Sequence, residues 1–287
     1  MKDAIDALIE AEELPADYRI VVENEWTALA TRIAREAARR KPLIVGINGA
    51  QGTGKSTMCK FLELLLAKRG LRAVTLSLDD IYLTRAERQQ LAEDVHPLFA
   101  TRGVPGTHSP ALARGVIENI IAGRAFSMPR FDKARDDRFA DEGEDIAGPV
   151  DVLLFDGWCM GAAPQDDAAL AEPVNELEAK DDADGTWRRL VNHWLAADYA
   201  DLFRHIDLLV MLKVENFDAV RRNRALQESK LRARQPDAPG LMDEAQLRRF
   251  QDHYERLTLH ILEEMPARAD IVFDIDADQR PTARKGL

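Results

Sequence analysis

Cysteine is nearly missing from this chain of 287 residues: Cys59 and Cys159 are its two thiols, a hundred positions apart and outside any C-x-x-C or Cys/His metal spacing. A disulfide framework and a zinc site are therefore both excluded as the basis of the fold, and the thiols are expected to be reduced. Long apolar runs are missing too. Leu208 to Leu212 ranks among the longest, against the roughly 18 residues of a membrane span, so no transmembrane helix is expected. The opening segment MKDAIDALIEAEELPADY is acidic, without the basic flank and apolar stretch of an export signal, which points to the cytoplasm. Basic excess is also lacking: 39 Lys and Arg face 50 Asp and Glu, a net charge of −11, and aromatics make up 6%. A charge of that sign repels nucleic-acid backbones, and so few aromatics give no stacking platform. A polynucleotide 5′-kinase is disfavoured, and small molecules are the expected partners.

What is present is a soluble composition, 46% hydrophobic and 31% charged, enough for a substantial core. Five short apolar runs read as buried parallel strands: Leu43 to Ile47, Ala73 to Leu78, Val150 to Phe155, Leu208 to Val214 and Asp270 to Ile275. Helix-prone stretches lie near 17–40, 55–69, 110–122, 187–205, 216–234 and 243–264. The alternation predicts an α/β fold of three layers, α/β/α, around a central, mostly parallel five-stranded sheet. Between Pro164 and Thr186 eight acidic residues face one lysine, and this stretch reads as a solvated insertion. Two segments run against the overall charge. Arg102 to Arg138 carries seven Arg and Lys against four Asp and Glu, and Lys213 to Arg234 carries seven against three.

After the first strand comes GAQGTGKS, with Gly49, Gly54, Lys55 and Ser56 in the fixed positions of G-x-x-x-x-G-K-[ST]. Glycines there let backbone N–H groups turn inward as an anion nest, and the helix that follows adds its positive end. Gly49, Ala50, Gln51, Gly52, Thr53, Gly54, Lys55, Ser56 and Thr57 are thus expected to hold the phosphates of ATP. Lys55 would bridge the β- and γ-phosphates, and the Ser56 hydroxyl would ligate Mg²⁺.

The chain lacks N-K-x-D and LSGGQ, and its third strand closes on DGWC where a GTPase switch would have D-x-x-G, so GTPase switches and ABC-type ATPases are set aside. The second strand instead ends in SLDDIYL, which places Asp79 and Asp80 at the carboxyl edge of the sheet. Successive residues point to opposite faces. One carboxylate can therefore reach an attacking hydroxyl while the other caps the next segment or touches metal. The third strand closes on Asp156 in LLFDGW, placed as a carboxylate that holds Mg²⁺ directly or through water. In VENFDAVRRNRALQESKLR, helical spacing makes Arg221, Arg224 and Lys230 available to swing over the phosphates as a lid. Arg224 is the expected catalytic cation.

In order and spacing, GAQGTGKST, SLDDIYLT, RGVPGTHS, MPRFDKA, LLFDGWCMG and EPVNELE resemble D-glycerate 3-kinase and its close bacterial and fungal relatives, within the pantothenate kinase, uridine kinase and phosphoribulokinase group. The resemblance spans residues 42–281, and RGVPGTHS and PRFDK are its most particular parts. It implies one P-loop kinase domain with an N-terminal helical extension over 1–40, the acidic insertion over 164–186 and a helical lid over 214–240. It implies Asp79 as the base toward the acceptor hydroxyl and Asp156 as the Mg²⁺ carboxylate, where many relatives carry Glu and the shorter Asp would work through water. Relatives show an arginine beside the LQ of the lid, where this chain has Ala225. Glycerate is a small carboxylate with hydroxyls, so its site needs a cation and hydrogen-bonding groups. Arg102, His108, Lys133 and Arg135 are the candidates. The implied activity is ATP-dependent phosphorylation of D-glycerate to 3-phosphoglycerate. Its rivals are a sister kinase for pantothenate, a nucleoside or a sugar phosphate, and a non-catalytic ATP-binding regulator.

Overall fold

The computed structural model describes residues 3–139, 143–234 and 242–287. Five strands, β1 Leu43–Gly49, β2 Ala73–Ser77, β3 Val152–Gly157, β4 Leu208–Val214 and β5 Ile271–Ile275, lie parallel in one sheet. A sixth strand, β6 Pro281–Lys285, closes the edge antiparallel to β5, so the order is β6-β5-β4-β1-β3-β2. The expected fold is therefore present with one strand more than the five expected. Four of the five residues of β6 are exposed, as an edge strand allows, and a polar strand leaves no apolar run to read.

Side chains alternate between the two faces of the sheet. Ile44, Leu153, Phe155, Leu209, Met211 and Val272 join one core. Leu43, Val45, Ile47, Val152, Leu154, Val210, Leu212 and Phe273 join the other. Helices α1 Ala4–Ala11, α2 Thr27–Ala37 and α3 Lys55–Ala67 cover the second core. The first lies under α5 Pro110–Ile121, α6 Thr186–Trp194 and α8 Glu244–Arg268. A further helix, α4 Arg85–Asp94, starts with a capping box in which Thr84 and Glu87 satisfy each other's backbone N–H groups. No described helix is long and apolar enough to cross a membrane.

Six of the eight acidic side chains of the insertion are exposed, as expected of a solvated stretch, and two depart from that expectation. Glu178 and Asp182 are fully buried. Arg256 of α8 bonds to both Glu178 oxygens, at 2.8 and 2.7 Å, while Arg188 of α6 reaches Asp182 at 3.0 Å. Local charge counting missed this because the arginines come from later helices. Asn175 caps the short helix Glu176–Asp181 and donates to the Asp252 carbonyl at 2.8 Å, tying the insertion to α8.

Register brings the candidate residues together. Gly49 ends β1, and Asp156 on β3 stands opposite Ile47 on one side and Ser77 on the other. In an open α/β sheet this carboxyl-end crevice is where ligands bind.

Candidate active site

The loop from Gly49 to Gly54 turns in a way that needs its glycines. Gly52 and Gly54 take φ of 75° and 85°, left-handed values that other residues rarely adopt. A Cβ on Gly52 would lie 2.7 Å from the Cβ of Asn223, on helix α7 Phe217–Arg234. The Lys55 ammonium folds back across the loop and donates to the carbonyls of Gly49 at 2.6 Å and Ala50 at 3.1 Å. Burial lowers its pKa, opposed by the charges of Asp156 and Asp79.

Asp156 is buried beside this loop, with the Ser56 hydroxyl 3.4 Å from its Oδ2 and no partner on Oδ1. Burial raises its pKa, and the charge of Lys55 counters the rise. A buried carboxylate oxygen without a partner next to a hydroxyl suits a hard divalent cation such as Mg²⁺. Among the described residues no cluster of three or more His, Cys, Asp or Glu could hold a metal. Phosphate oxygens and water would thus complete any coordination.

The two aspartates after β2 differ in their contacts. Asp80 accepts from Arg130 Nη1 at 3.1 Å and from the Phe131 N–H at 3.4 Å, anchoring the hairpin of Phe131–Asp132 and Asp137–Arg138. Asp79 faces the crevice, where Oδ1 accepts from the Tyr82 hydroxyl at 2.8 Å and Oδ2 accepts from Lys133 at 2.5 Å. Desolvation pushes the Asp79 pKa up, but Lys133, Tyr82 and Lys55 together hold it down to about 2.

Arg102 is the second cation here, packed 5.6 Å over the Phe131 ring and paired with Asp136. Asp136 takes a left-handed φ of 58° and is gripped by the buried Arg88, which also donates to the carbonyls of Leu83 and Ala100. Gly103 and Gly106 are required by space: a Cβ on either would fall about 2 Å from Tyr254 or Trp194. Trp158 donates to the Gly103 carbonyl at 2.8 Å, and Tyr254 donates to that of Arg102 at 3.0 Å.

His108, in the same loop, is buried and stacks on Tyr82 at 4.5 Å. The Tyr199 oxygen accepts from the Gly106 N–H at 3.1 Å and lies 2.6 Å from His108 Nδ1. A Tyr199 hydroxyl donating to Nδ1 would put the imidazole hydrogen on Nε2, an atom with no partner. Burial pushes the His108 pKa down to about 3, so the ring is neutral.

Arg135 stands apart from these groups, exposed and paired with Asp132 at 3.4 Å. Arg224 pairs with Glu228 at 2.9 Å on its own helix and lies over Phe250, while Arg221 reaches Glu255 at 3.2 Å and Asp252 at 3.4 Å. Arg222 is exposed. The Lys230 side chain and residues 235–241, the end of the expected lid, lie outside the described residues. Sequence reasoning missed Tyr82, Tyr199, Tyr254, Arg88, Asp136 and Asn223. Tyr82 lies inside SLDDIYL, Asn223 inside the basic stretch after the fourth strand and Asp136 inside the first basic segment, whereas Tyr199, Tyr254 and Arg88 are single residues brought together by the fold.

No family model matches the chain. An uncharacterized kinase of Schizosaccharomyces pombe is 34% identical over 225 residues, covering 75% of this chain and 79% of the relative. The chloroplastic D-glycerate 3-kinase of Arabidopsis thaliana is 29% identical over 260 residues, covering 84% of this chain and 54% of that one. Among solved structures, D-glycerate 3-kinase from Cryptococcus neoformans var. grubii superposes with a TM-score of 0.74 at 23% identity, covering 92% of this chain and 99% of that one, which shows a common fold. With its phosphate loop, its parallel sheet and a relative a third identical along most of both chains, this protein belongs to the D-glycerate 3-kinase branch of the P-loop kinases and is a phosphotransferase acting on a hydroxyl of a small molecule.

Proposed function

We propose that the protein transfers the γ-phosphate of ATP to the primary hydroxyl of D-glycerate, giving 3-phosphoglycerate. The observation that carries this reading is the placement of Asp79 between Tyr82 and Lys133, with Arg102 close by, at the mouth of the phosphate loop. A base and two cations at one spot suit an acceptor that bears a hydroxyl near a carboxylate. Residues 3–287 act as one kinase domain, with a helical extension before β1, an insertion over 164–186 and a lid that starts at 214.

The backbone from Gly49 to Thr57 cradles the triphosphate, and Lys55 exchanges its bonds to the Gly49 and Ala50 carbonyls for phosphate oxygens. Ser56 and Asp156 would hold Mg²⁺, which when bound would offset phosphate charge. The acceptor oxygen forms its bond to the γ-phosphorus as the bond to the bridging oxygen breaks. ADP leaves with that electron pair, and the hydroxyl proton passes to Asp79. A carboxylate held at a low pKa suffices because the transition state is loose and the proton moves late. Arg102 and Lys133 take the acceptor carboxylate, and the Nε2–H of His108 donates to an acceptor oxygen. Arg224 must leave Glu228 to reach the phosphates on lid closure.

Following ADP release with Mg-ATP against D-glycerate, L-glycerate, pantothenate, uridine and ribulose 5-phosphate tests the reading. Turnover confined to D-glycerate is expected. Faster turnover of another acceptor would overturn the substrate assignment.

A further inference from the structure

We propose that Lys133 is a charge-selective latch on Asp79, resting on the ion pair until an anionic group of the acceptor draws it away, so that hydroxy acids are preferred over neutral polyols through release of Asp79 as well as through binding. The inference deepens the proposed function and rests on Asp79 receiving the acceptor's proton.

Both oxygens of Asp79 are engaged: Lys133 donates to Oδ2 at 2.5 Å and Tyr82 donates to Oδ1 at 2.8 Å. A carboxylate that already holds an ammonium is a weaker acceptor for a hydroxyl. Tyr82 is buried and stacked on His108, so it stays in place. Lys133 differs from it. Its side chain is 61% exposed, on the turn of the hairpin. The backbone beneath is clamped by Asp80 to Arg130 and the Phe131 N–H, by Glu87 to Arg138, and by Arg88 to Asp136. Within a fixed hairpin, the four-carbon lysine stem is the part that can move.

Arg102 completes the device. It is held by Asp136 and packed over Phe131, yet close enough for its charge to oppose that of Lys133. An acceptor carboxylate can take Arg102 with one oxygen and Lys133 with the other, offsetting the loss of the ion pair and freeing Asp79 beside the hydroxyl. A neutral polyol offers no such compensation, so Lys133 stays on Asp79.

The test is steady-state kinetics at saturating Mg-ATP with D-glycerate and with glycerol, for the wild type, Lys133→Met and Lys133→Arg, together with acceptor-free ATP hydrolysis. The latch predicts that Lys133→Met raises KM for D-glycerate about tenfold or more while raising glycerol turnover and acceptor-free hydrolysis about tenfold above wild type. Lys133→Arg should restore the wild-type preference. A raised KM with glycerol turnover and hydrolysis unchanged would make Lys133 a carboxylate ligand alone and overturn the latch. An equal loss of kcat with both acceptors would place Lys133 on the phosphoryl group and overturn it as well. If the wild type does not turn over D-glycerate, the substrate reading fails separately. Acceptor-free hydrolysis then decides the latch: a rise in Lys133→Met supports it, and an unchanged rate overturns it.

Discussion

Asn223 packs on Gly52 so closely that a single added methyl on the glycine would sit 2.7 Å from the asparagine Cβ. This contact joins the phosphate loop to the first turns of α7. Gly52→Ala meets both that clash and a left-handed φ of 75°, and is expected to cost about 1–3 kcal/mol of stability. Nucleotide affinity should fall with it, about tenfold, because relief of the clash has to move either the loop or the helix. Urea denaturation and a nucleotide titration measure the two effects. Native affinity in Gly52→Ala would show the contact to be dispensable.

Asp79→Ala should lower turnover by about three orders of magnitude or more, and Lys55→Ala by a similar factor, while the fold stays intact. Asp79 lies outside both cores, and the ammonium it leaves behind is largely exposed, so no buried charge is stranded. Circular dichroism and melting separate loss of chemistry from loss of fold. Near-native rates in either variant would remove that residue from the mechanism.

Acid should weaken the protein through its buried histidines. Burial pushes the pKa of His253 down to about 4 and that of His108 to about 3. The unfolded chain takes up these protons near pH 6.5 and the folded chain does not, so stability falls as pH drops from about 6.5 toward those values, by about 1.4 kcal/mol per unit for each group. His253→Gln, away from the proposed site, should flatten the fall between pH 6.5 and 4.5 relative to wild type. Parallel stability curves for the two proteins would contradict this. The lowered Asp79 pKa acts in a lower window, present above pH 4 and lost as pH falls toward 2.

Glu178→Ala strands the Arg256 guanidinium inside the protein, where it also holds the Ala169 and Glu172 carbonyls. Breaking a buried pair from one side costs about 3–5 kcal/mol. The denaturation midpoint should drop accordingly. A loss below 1 kcal/mol would mean that water reaches the arginine.

How much of this was legible in the sequence depends on whether a feature is local. The five parallel strands and the phosphate loop are written in contiguous apolar runs and in a motif of fixed spacing, and both stand where expected. Strand β6 is polar because an edge needs little burial, and α4 announces itself only through the capping box of Thr84 and Glu87. The aspartate pair could be narrowed to one in each role, but which one faces the crevice is decided by the contacts that Asp80 makes with Arg130 and Phe131. Tyr199 and His108 are 91 positions apart, and nothing in either segment signals the other. Arg135 looked equivalent to Lys133 in a basic segment, yet the turn sends one to Asp132 and the other to Asp79.

The central claim is that Asp79 drives phosphoryl transfer to the primary hydroxyl of D-glycerate. The most direct test incubates the protein with Mg-ATP and D-glycerate and reads the product by phosphorus NMR, with Asp79→Ala alongside. A phosphate ester on the primary carbon, formed by the wild type and lost in the variant, is the predicted result. Ester at the secondary hydroxyl, no ester at all, or equal product from both proteins would contradict the account.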